Sequence, residues 1–291
     1  MKAKKKRIGT KAQIRATEER ERHIATAIFL TFILLIIIIS AYFTHTFLNQ
    51  PQNQTTSPTS PQLKAAILDQ LSLTIPNQTF IETATNTLEQ AGYTVDYYPG
   101  ENITVQFYRN LPTHEYRLII LRVHSTATNP DATEGPVTLF TSERYDRTKY
   151  VYEQLTDQLL MVAFSQDEMN KGITYFGINP PFLTGSMNSR FQNTIIIMMG
   201  CEGLDNTLMA QAFIQKGAKV YISWDKPVSA SHTDTAIIHL LQHFLMEKTT
   251  LKESVRQTFK EIGFDPIYKS LLIYYPLKAG EQTIEKIDGE S

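Results

Sequence analysis

The chain has 291 residues, of which 42% are hydrophobic, so it holds enough apolar side chains for a sizeable core and is not disordered throughout. Its formal net charge of -1 hides an asymmetry: residues 1–23 carry nine Lys/Arg against three Glu, whereas residues 64–291 carry the other 19 Lys/Arg against 26 Asp/Glu. An acidic body argues against nucleic-acid binding, and a single cysteine excludes both an internal disulfide framework and a cysteine-rich zinc site.

The N-terminal part predicts a membrane anchor. Residues 1–23 form a basic tail, and no charged residue occurs from Ile24 to Phe43, long enough for a helix to cross the hydrocarbon core. Because the next Lys or Arg is Lys64, the positive-inside rule places the tail in the cytoplasm and the rest of the chain outside the cell membrane. We therefore predict a single-pass signal-anchor at residues 24–45. The alternative, a cleaved signal peptide, needs a shorter apolar segment.

A polar stalk is predicted at residues 46–62, which are rich in Pro, Thr, Ser and Gln. Three tripeptides, beginning at Asn53, Asn77 and Asn102, match the N-glycosylation acceptor pattern and are compatible with an exported domain.

From residue 63 to 291 the pattern alternates between apolar strands and amphipathic helices. Strands are predicted at 64–71, 93–98, 116–123, 194–199, 218–224 and 271–275. Helices are predicted at 77–91, 102–111, 204–216, 233–246 and 251–262. Residues 137–178 are less regular, with β-like runs at 137–141, 158–164 and 173–176. Near-continuous apolar strands between helices predict one extracytoplasmic α/β domain, with a mostly parallel sheet covered by helices on both faces.

Two reactive side chains follow the most apolar predicted strands. His124 ends one strand, and Cys201 follows another after Gly200. In parallel sheets reactive groups gather past the carboxyl ends of the strands. The lone thiol is open to three interpretations: an intermolecular disulfide, a buried inert thiol or a nucleophile. A helix predicted to begin at Leu204 favours the nucleophile, since a helix N-terminus lowers the pKa of a nearby thiol.

The segment Ile-Ile-Ile-Met-Met-Gly-Cys-Glu-Gly at 195–203 precedes a helix with Ala-x-x-Phe-x-x-x-Gly-Ala spacing and a strand that ends in Ser223-Trp224. Together with the strand that ends in His124, this order resembles the caspase-like (clan CD) cysteine peptidases, in particular their CHAT and gingipain-type branches. The resemblance covers residues 63–275 and implies a caspase-like sheet.

The resemblance also implies roles for particular residues. Cys201 would be the nucleophile, His124 the general acid/base, and the backbone N–H groups of Cys201 and Ser125 the oxyanion hole. Trp224 and Asp225 would line the substrate pocket, where the carboxylate of Asp225 would favour Arg or Lys before the cut; the alternative is that Asp225 is a turn residue.

The sequence departs from the family in three respects. Ser125 stands where Gly usually follows the histidine, and the interval from 124 to 201 is 77 residues against about 50 in caspases. The caspase signature around the cysteine is absent. The β-like insert at 137–178 accounts for the extra length and is expected to cover the cleft.

No cofactor and no metal are predicted. His239 and His243 lie four residues apart on a predicted helix, but spacing shows no third ligand, and Leu240 stands where a zinc metallopeptidase helix has Glu. His232 and Asp234 lie near the predicted helix start, where a capping role is the simpler interpretation.

Three functions remain. The first is a membrane-anchored cysteine endopeptidase that acts on extracytoplasmic polypeptides. The second is a catalytically inactive caspase-like domain for binding or assembly, and the third an unrelated α/β ligand-binding ectodomain.

Overall fold

The computed structural model describes residues 63–127 and 135–289, together with scattered positions between 20 and 40. The chain divides into two units, Met1–Ser60 and Pro61–Ser291. In the first unit, Ile33 to Ser40 are helical and their side chains are exposed. Much of the predicted anchor at 24–45 and all of the predicted stalk at 46–62 lie outside the described residues. Among the described residues, no helix combines the length and apolar character that a membrane crossing requires.

The second unit is built around a six-stranded sheet with the order β10-β9-β8-β3-β1-β2. Its strands are β1 (Lys64–Asp69), β2 (Thr94–Pro99), β3 (Leu118–Arg122), β8 (Thr194–Met198), β9 (Ala218–Trp224) and β10 (Leu272–Tyr275). All neighbours pair in parallel except β10, which runs antiparallel to β9 at the edge. The predicted α/β class with a mostly parallel sheet is therefore confirmed.

A second, four-stranded antiparallel sheet has the order β4-β5-β7-β6. It consists of β4 (Ser125–Ala127), β5 (Val137–Arg144), β6 (Leu159–Val162) and β7 (Tyr175–Ile178). The sequence predicts β structure in this region but not a separate sheet. It also misses β4, because three residues are too short for alternation to be read.

The described helices are α1 (Gln78–Gln90), α2 (Val105–Asn110), α3 (Val151–Leu155), α4 (Gln166–Asn170), α5 (Pro180–Gly185), α6 (Leu208–Gln215), α7 (Ala230–Leu241), α8 (Leu251–Ile262) and α9 (Ile284–Gly289). A π-helical segment, Gln242–Met246, continues α7, and 3₁₀ turns lie at Gln70–Leu73, Gly100–Asn102, Leu111–His114 and Leu277–Glu281. The start of α1 is predicted correctly: the Asn77 side chain accepts the N–H of Phe80 at 3.1 Å.

Alternate strand residues of the large sheet enter two apolar cores. One includes Ile119, Leu121 and Ile196; the other includes Ile120, Ile195 and Ile197. Since β3 and β8 are fully buried, both their faces are covered, which explains their continuous apolar sequence.

Candidate active site

The structure places both His124 and Cys201 just beyond the carboxyl ends of strands in the large sheet. β3 and β8 are parallel neighbours, in a register that pairs Leu118 with Ile195 and Leu121 with Met198. His124 lies two residues beyond β3, and Cys201 three residues beyond β8. A hydrogen bond joins the two loops: the Ser125 hydroxyl donates to the carbonyl oxygen of Cys201 at 2.5 Å.

Gly200 permits this close approach. A Cβ atom at this position would lie under 3.0 Å from the Ser125 hydroxyl and from the carbonyl oxygen of Val123. Gly203 is constrained in the same way, because a Cβ there would meet the side chain of Ser223. The loop that carries Cys201 is thus packed against the ends of β3 and β9 through two glycines.

The thiol of Cys201 contacts the backbone of Val228, which follows β9. The Val228 N–H donates to Sγ at 3.5 Å, and Sγ lies 3.7 Å from the Val228 carbonyl oxygen. Burial raises the pKa of the thiol, and the nearby carboxylates of Glu202 and Asp265 raise it further. The hydrogen bond from Val228 acts in the opposite direction and lowers it. The thiol is therefore in its neutral form at neutral pH.

The prediction of a helix from Leu204 was wrong at its N-terminus. Residues 201–207 form turns, and α6 begins at Leu208. Glu202 adopts a left-handed conformation, with φ of 61°, and its N–H donates to the Lys226 carbonyl at 3.0 Å. These turns separate Cys201 from the positive end of α6, which acts only over about the first turn. The expected lowering of the thiol pKa by this helix is therefore absent.

The imidazole of His124 is covered by aromatic side chains of the insert. Its ring stacks on Phe164 with centroids 5.3 Å apart and lies 6.1 Å from the ring of Phe140. Burial, with a smaller contribution from the positive charge of Arg122, lowers the pKa of His124 from 6.5 to about 4. Residues of the 137–178 insert thus cover one half of the candidate dyad.

Each member of the candidate dyad has other hydrogen-bond partners. His124 Nε2 lies 2.9 Å from the Thr74 hydroxyl, and the backbone N–H of His124 donates to the Gln70 side chain at 2.9 Å. Within residues 63–127 and 135–289, no hydrogen bond joins the His124 imidazole to the Cys201 thiol. The two groups share a sheet edge, as a neutral imidazole and a neutral thiol.

The oxyanion hole is predicted to consist of the backbone N–H groups of Cys201 and Ser125. Among the described residues, the Cys201 N–H has no acceptor. The Phe140 N–H donates to the His124 carbonyl at 3.0 Å, so the next pair along, Ser125 and Leu139, is of the non-hydrogen-bonded type. The Ser125 N–H therefore points away from β5.

Trp224 and Asp225 have structural contacts. Trp224 is 1% exposed, and its indole N–H donates to the Thr233 hydroxyl at 2.9 Å, so Trp224 belongs to the core rather than to an open pocket wall. Asp225 Oδ1 accepts the N–H of Leu271 at 2.7 Å, which ties the end of β9 to the segment before β10. This contact fits the turn interpretation of Asp225.

Sequence reasoning missed a buried ion cluster behind His124. Arg122 is fully buried and donates to Asp69 at 2.7 Å and to Asp234 at 2.8 and 2.9 Å. The expectation that Asp234 caps its helix was wrong: its carboxylate pairs with Arg122 and accepts from the Asn77 side chain at 2.8 Å. The only feature of the sequence that pointed to this ion cluster was an arginine, Arg122, in an otherwise apolar strand.

Glu202 is a second missed contact. Its Oε2 accepts the N–H of Ala127 at 2.7 Å, so its carboxylate bridges the loop after β8 to β4. Glu202 lies in the turns before α6, and its contact with Ala127 joins the loop that carries Cys201 to the strand that follows His124.

Comparison with family models and with curated proteins finds no match to this chain. Among solved structures, the chain is similar to the Drosophila initiator caspase Dronc with 12% sequence identity and a TM-score of 0.38, over 78% of this chain and 82% of that one. Nothing about the activity, or about the CHAT and gingipain-type branches, follows from this likeness.

Proposed function

We propose that residues 63–291 form a caspase-like cysteine endopeptidase domain in which Cys201 is the nucleophile and His124 the general acid/base. One observation carries the proposal: the two residues follow neighbouring central strands of a parallel sheet, in loops joined by the Ser125–Cys201 hydrogen bond. The family resemblance in the sequence agrees with this placement.

The proposed chemistry is acyl transfer. His124 takes the proton of the Cys201 thiol as Sγ attacks the scissile carbonyl, and then returns it to the leaving amine. The Cys201 N–H, with that of Ser125, stabilises the oxyanion. Water then hydrolyses the thioester, which releases the acid and restores the thiol.

This chemistry requires rearrangement of the described site. Sγ must leave its contact with Val228, and the imidazole must exchange its Thr74 partner for the thiol. The raised pKa of Cys201 and the lowered pKa of His124 describe a resting, neutral pair. In the proposal, bound substrate displaces the Phe164 cover and brings the two side chains together.

Polypeptides are the proposed substrates, with cleavage after Arg or Lys as the finer proposal. The latter depends on Asp225, whose described hydrogen bond uses Oδ1, so Oδ2 would contact the cationic side chain. The burial of Trp224 means that only Asp225 of the two predicted pocket residues supports this specificity without rearrangement of the core.

Anchoring to the cell membrane, with the N-terminus cytoplasmic, is part of the proposal. Its support is the basic tail, the uncharged run from Ile24 to Phe43, and the exposed apolar side chains of the helical residues in that run, such as Leu34 and Ile37 at 59% and 58% exposure.

A second candidate function is an inactive caspase-like domain used for binding or assembly. The specific observation in its favour is that thiol and imidazole each have other partners and that the thiol pKa is raised rather than lowered. An activated cysteine nucleophile normally has a lowered pKa.

Covalent labelling separates the two candidates. The purified full chain is treated at neutral pH with a peptidyl ketone inhibitor that carries Arg or Lys before its reactive carbon, and with plain iodoacetamide at matched concentration. A peptidase labels at Cys201 far faster with the peptidyl reagent, and His124→Ala removes this advantage. The control is His114→Ala, which removes the histidine that precedes β3 in the chain; this variant is expected to keep the fast labelling.

The inactive candidate gives the opposite pattern. Both reagents then label Cys201 slowly and at similar rates, and His124→Ala changes neither rate. That result would exclude an endopeptidase that cleaves after Arg or Lys and would favour the binding function.

A further inference from the structure

A cluster of three metal-ligating side chains lies between α7 and α8. His239 is on α7, His243 in the π-helical segment that continues it, and Glu261 on α8, and their ligand atoms all lie within 4.8 Å of one another. Glu261 Oε2 is 2.5 Å from His239 Nδ1 and 3.1 Å from His243 Nε2. Spacing along the chain showed only the two histidines; folding adds the third ligand.

A fourth side chain sets the orientation of His243. Glu247 follows the last residue of the π-helical segment, and its Oε2 lies 2.9 Å from His243 Nδ1. When Nδ1–H donates to this carboxylate, Nε2 of the neutral ring carries a lone pair that faces Glu261. The lone pair of His243 Nε2 then faces a lone pair of Glu261 Oε2, which is unfavourable unless a proton or a metal cation lies between the two atoms. A carboxylate that holds the outer nitrogen is the arrangement that orients metal-binding histidines.

The backbone at this point is unusual. Gln242–Met246 is π-helical, and the Glu247 N–H donates to the carbonyl oxygen of Gln242 at 3.0 Å, five residues back. Such segments are rare and often occur at functional sites. Here the segment carries His243, which is the least exposed of the three ligands, with a side chain 9% exposed against 40% for His239 and 41% for Glu261.

We propose that His239, His243 and Glu261 bind a Zn²⁺ ion, with Glu247 as a positioning residue that orients His243. Two imidazoles and one carboxylate suit zinc better than Mg²⁺ or Ca²⁺, which prefer oxygen ligands. Zinc bonds of about 2.0–2.2 Å need ligand atoms somewhat more than 3 Å apart, so small side-chain rotations complete the site. Because two of the ligands are exposed, water occupies the fourth position.

The ion would cross-link α7 to α8, a function separate from the chemistry of Cys201. The site shares no residue with the candidate dyad, so it stands whether or not the domain is a peptidase.

Calorimetric titration of Zn²⁺ into the full chain tests the proposal. Cys201→Ser is introduced throughout, so that the lone thiol cannot bind the metal, and bound metal is removed with a chelator beforehand. The expected result is one saturable site, with affinity lowered at least about tenfold by His239→Ala, His243→Gln or Glu261→Gln. Glu247→Gln is expected to lower it by about 10- to 100-fold, as loss of an outer partner does.

Two matched variants serve as controls. His114→Ala removes a histidine elsewhere, and Glu89→Gln neutralises an exposed carboxylate near the end of α1; both retain the parent affinity. Co²⁺ bound to the parent protein is expected to give the intense visible absorption bands of a four-coordinate ion with nitrogen ligands. This measurement uses the parent protein alone, so it does not depend on whether any variant folds.

Two results would overturn the proposal. One is the absence of saturable Zn²⁺ binding and of Co²⁺ bands in the parent protein. The other is binding that survives substitution of all three ligands, which would place the metal elsewhere. In either case the cluster is an ion-pair network in which His243 holds two protons.

Discussion

Burial of His124 makes the stability of the domain depend on pH. In the unfolded chain the imidazole binds a proton with a pKa of 6.5, whereas in the folded protein burial lowers that pKa to about 4. This difference corresponds to about 3.4 kcal/mol. As the pH falls, the unfolded state takes up the proton first. The contribution of His124 to the free energy of unfolding is therefore fully present above pH 6.5 and is lost as the pH falls towards 4.

The magnitude at an intermediate pH follows from the same two values. At pH 5 the unfolded imidazole is almost fully protonated and the folded one is largely neutral, so about 2 kcal/mol of the free energy of unfolding is lost relative to pH 7.5. His124→Gln removes this dependence. The difference in pH response between the parent protein and the variant therefore isolates His124 from carboxylates that titrate in the same range.

Urea unfolding at pH 7.5 and pH 5.0 measures this difference. Trp224, the single tryptophan, is 1% exposed and reports unfolding by its fluorescence. Phe164→Ala tests the cause, because removal of the stacked ring opens His124 to water and should reduce the loss. If the parent protein and His124→Gln lose the same stability between the two pH values, the imidazole is not held neutral by burial, and the reasoning is wrong.

Three further changes test the packing of the site. Gly200→Ala places a methyl group against the Val123 carbonyl and should cost about 1–3 kcal/mol of stability in urea unfolding and slow the labelling of Cys201. Arg122→Met leaves two buried carboxylates without their partner and should cost about 3–5 kcal/mol, measured in the same way. Asp225→Ala removes the acceptor for the Leu271 N–H and should cost about 1–3 kcal/mol, with a lower thermal unfolding temperature.

Each of these has a result that contradicts it. Unchanged stability in Gly200→Ala would mean that the loop can move away from Val123. A loss below about 1 kcal/mol in Arg122→Met would mean that water reaches the two carboxylates. If Asp225→Ala is as stable as the parent protein but abolishes cleavage after Arg or Lys, the carboxylate acts in a substrate pocket rather than in the turn.

The sequence by itself determined nine of the ten described strands, five of the nine described α-helices and the order of the reactive residues. Continuous apolar runs such as 194–199 predict buried parallel strands, and both His124 and Cys201 were placed at strand ends, because strand and helix periods are local properties of the chain. The start of α6 was misjudged, since Leu204 fits a helical spacing equally well. The turns before Leu208 are held by long-range contacts, such as that of the Leu204 N–H with the Trp224 carbonyl at 2.8 Å.

Only the tertiary structure decided the state of the site. The pKa of Cys201 depends on its burial and on the opposing hydrogen bond from Val228, and that of His124 on its burial beside Phe164; both partners are remote in sequence. The pairing of Arg122 with two carboxylates has the same origin, as does the addition of a third ligand to His239 and His243. Distance and desolvation set these interactions, and neither can be read from residue types until the chain has folded.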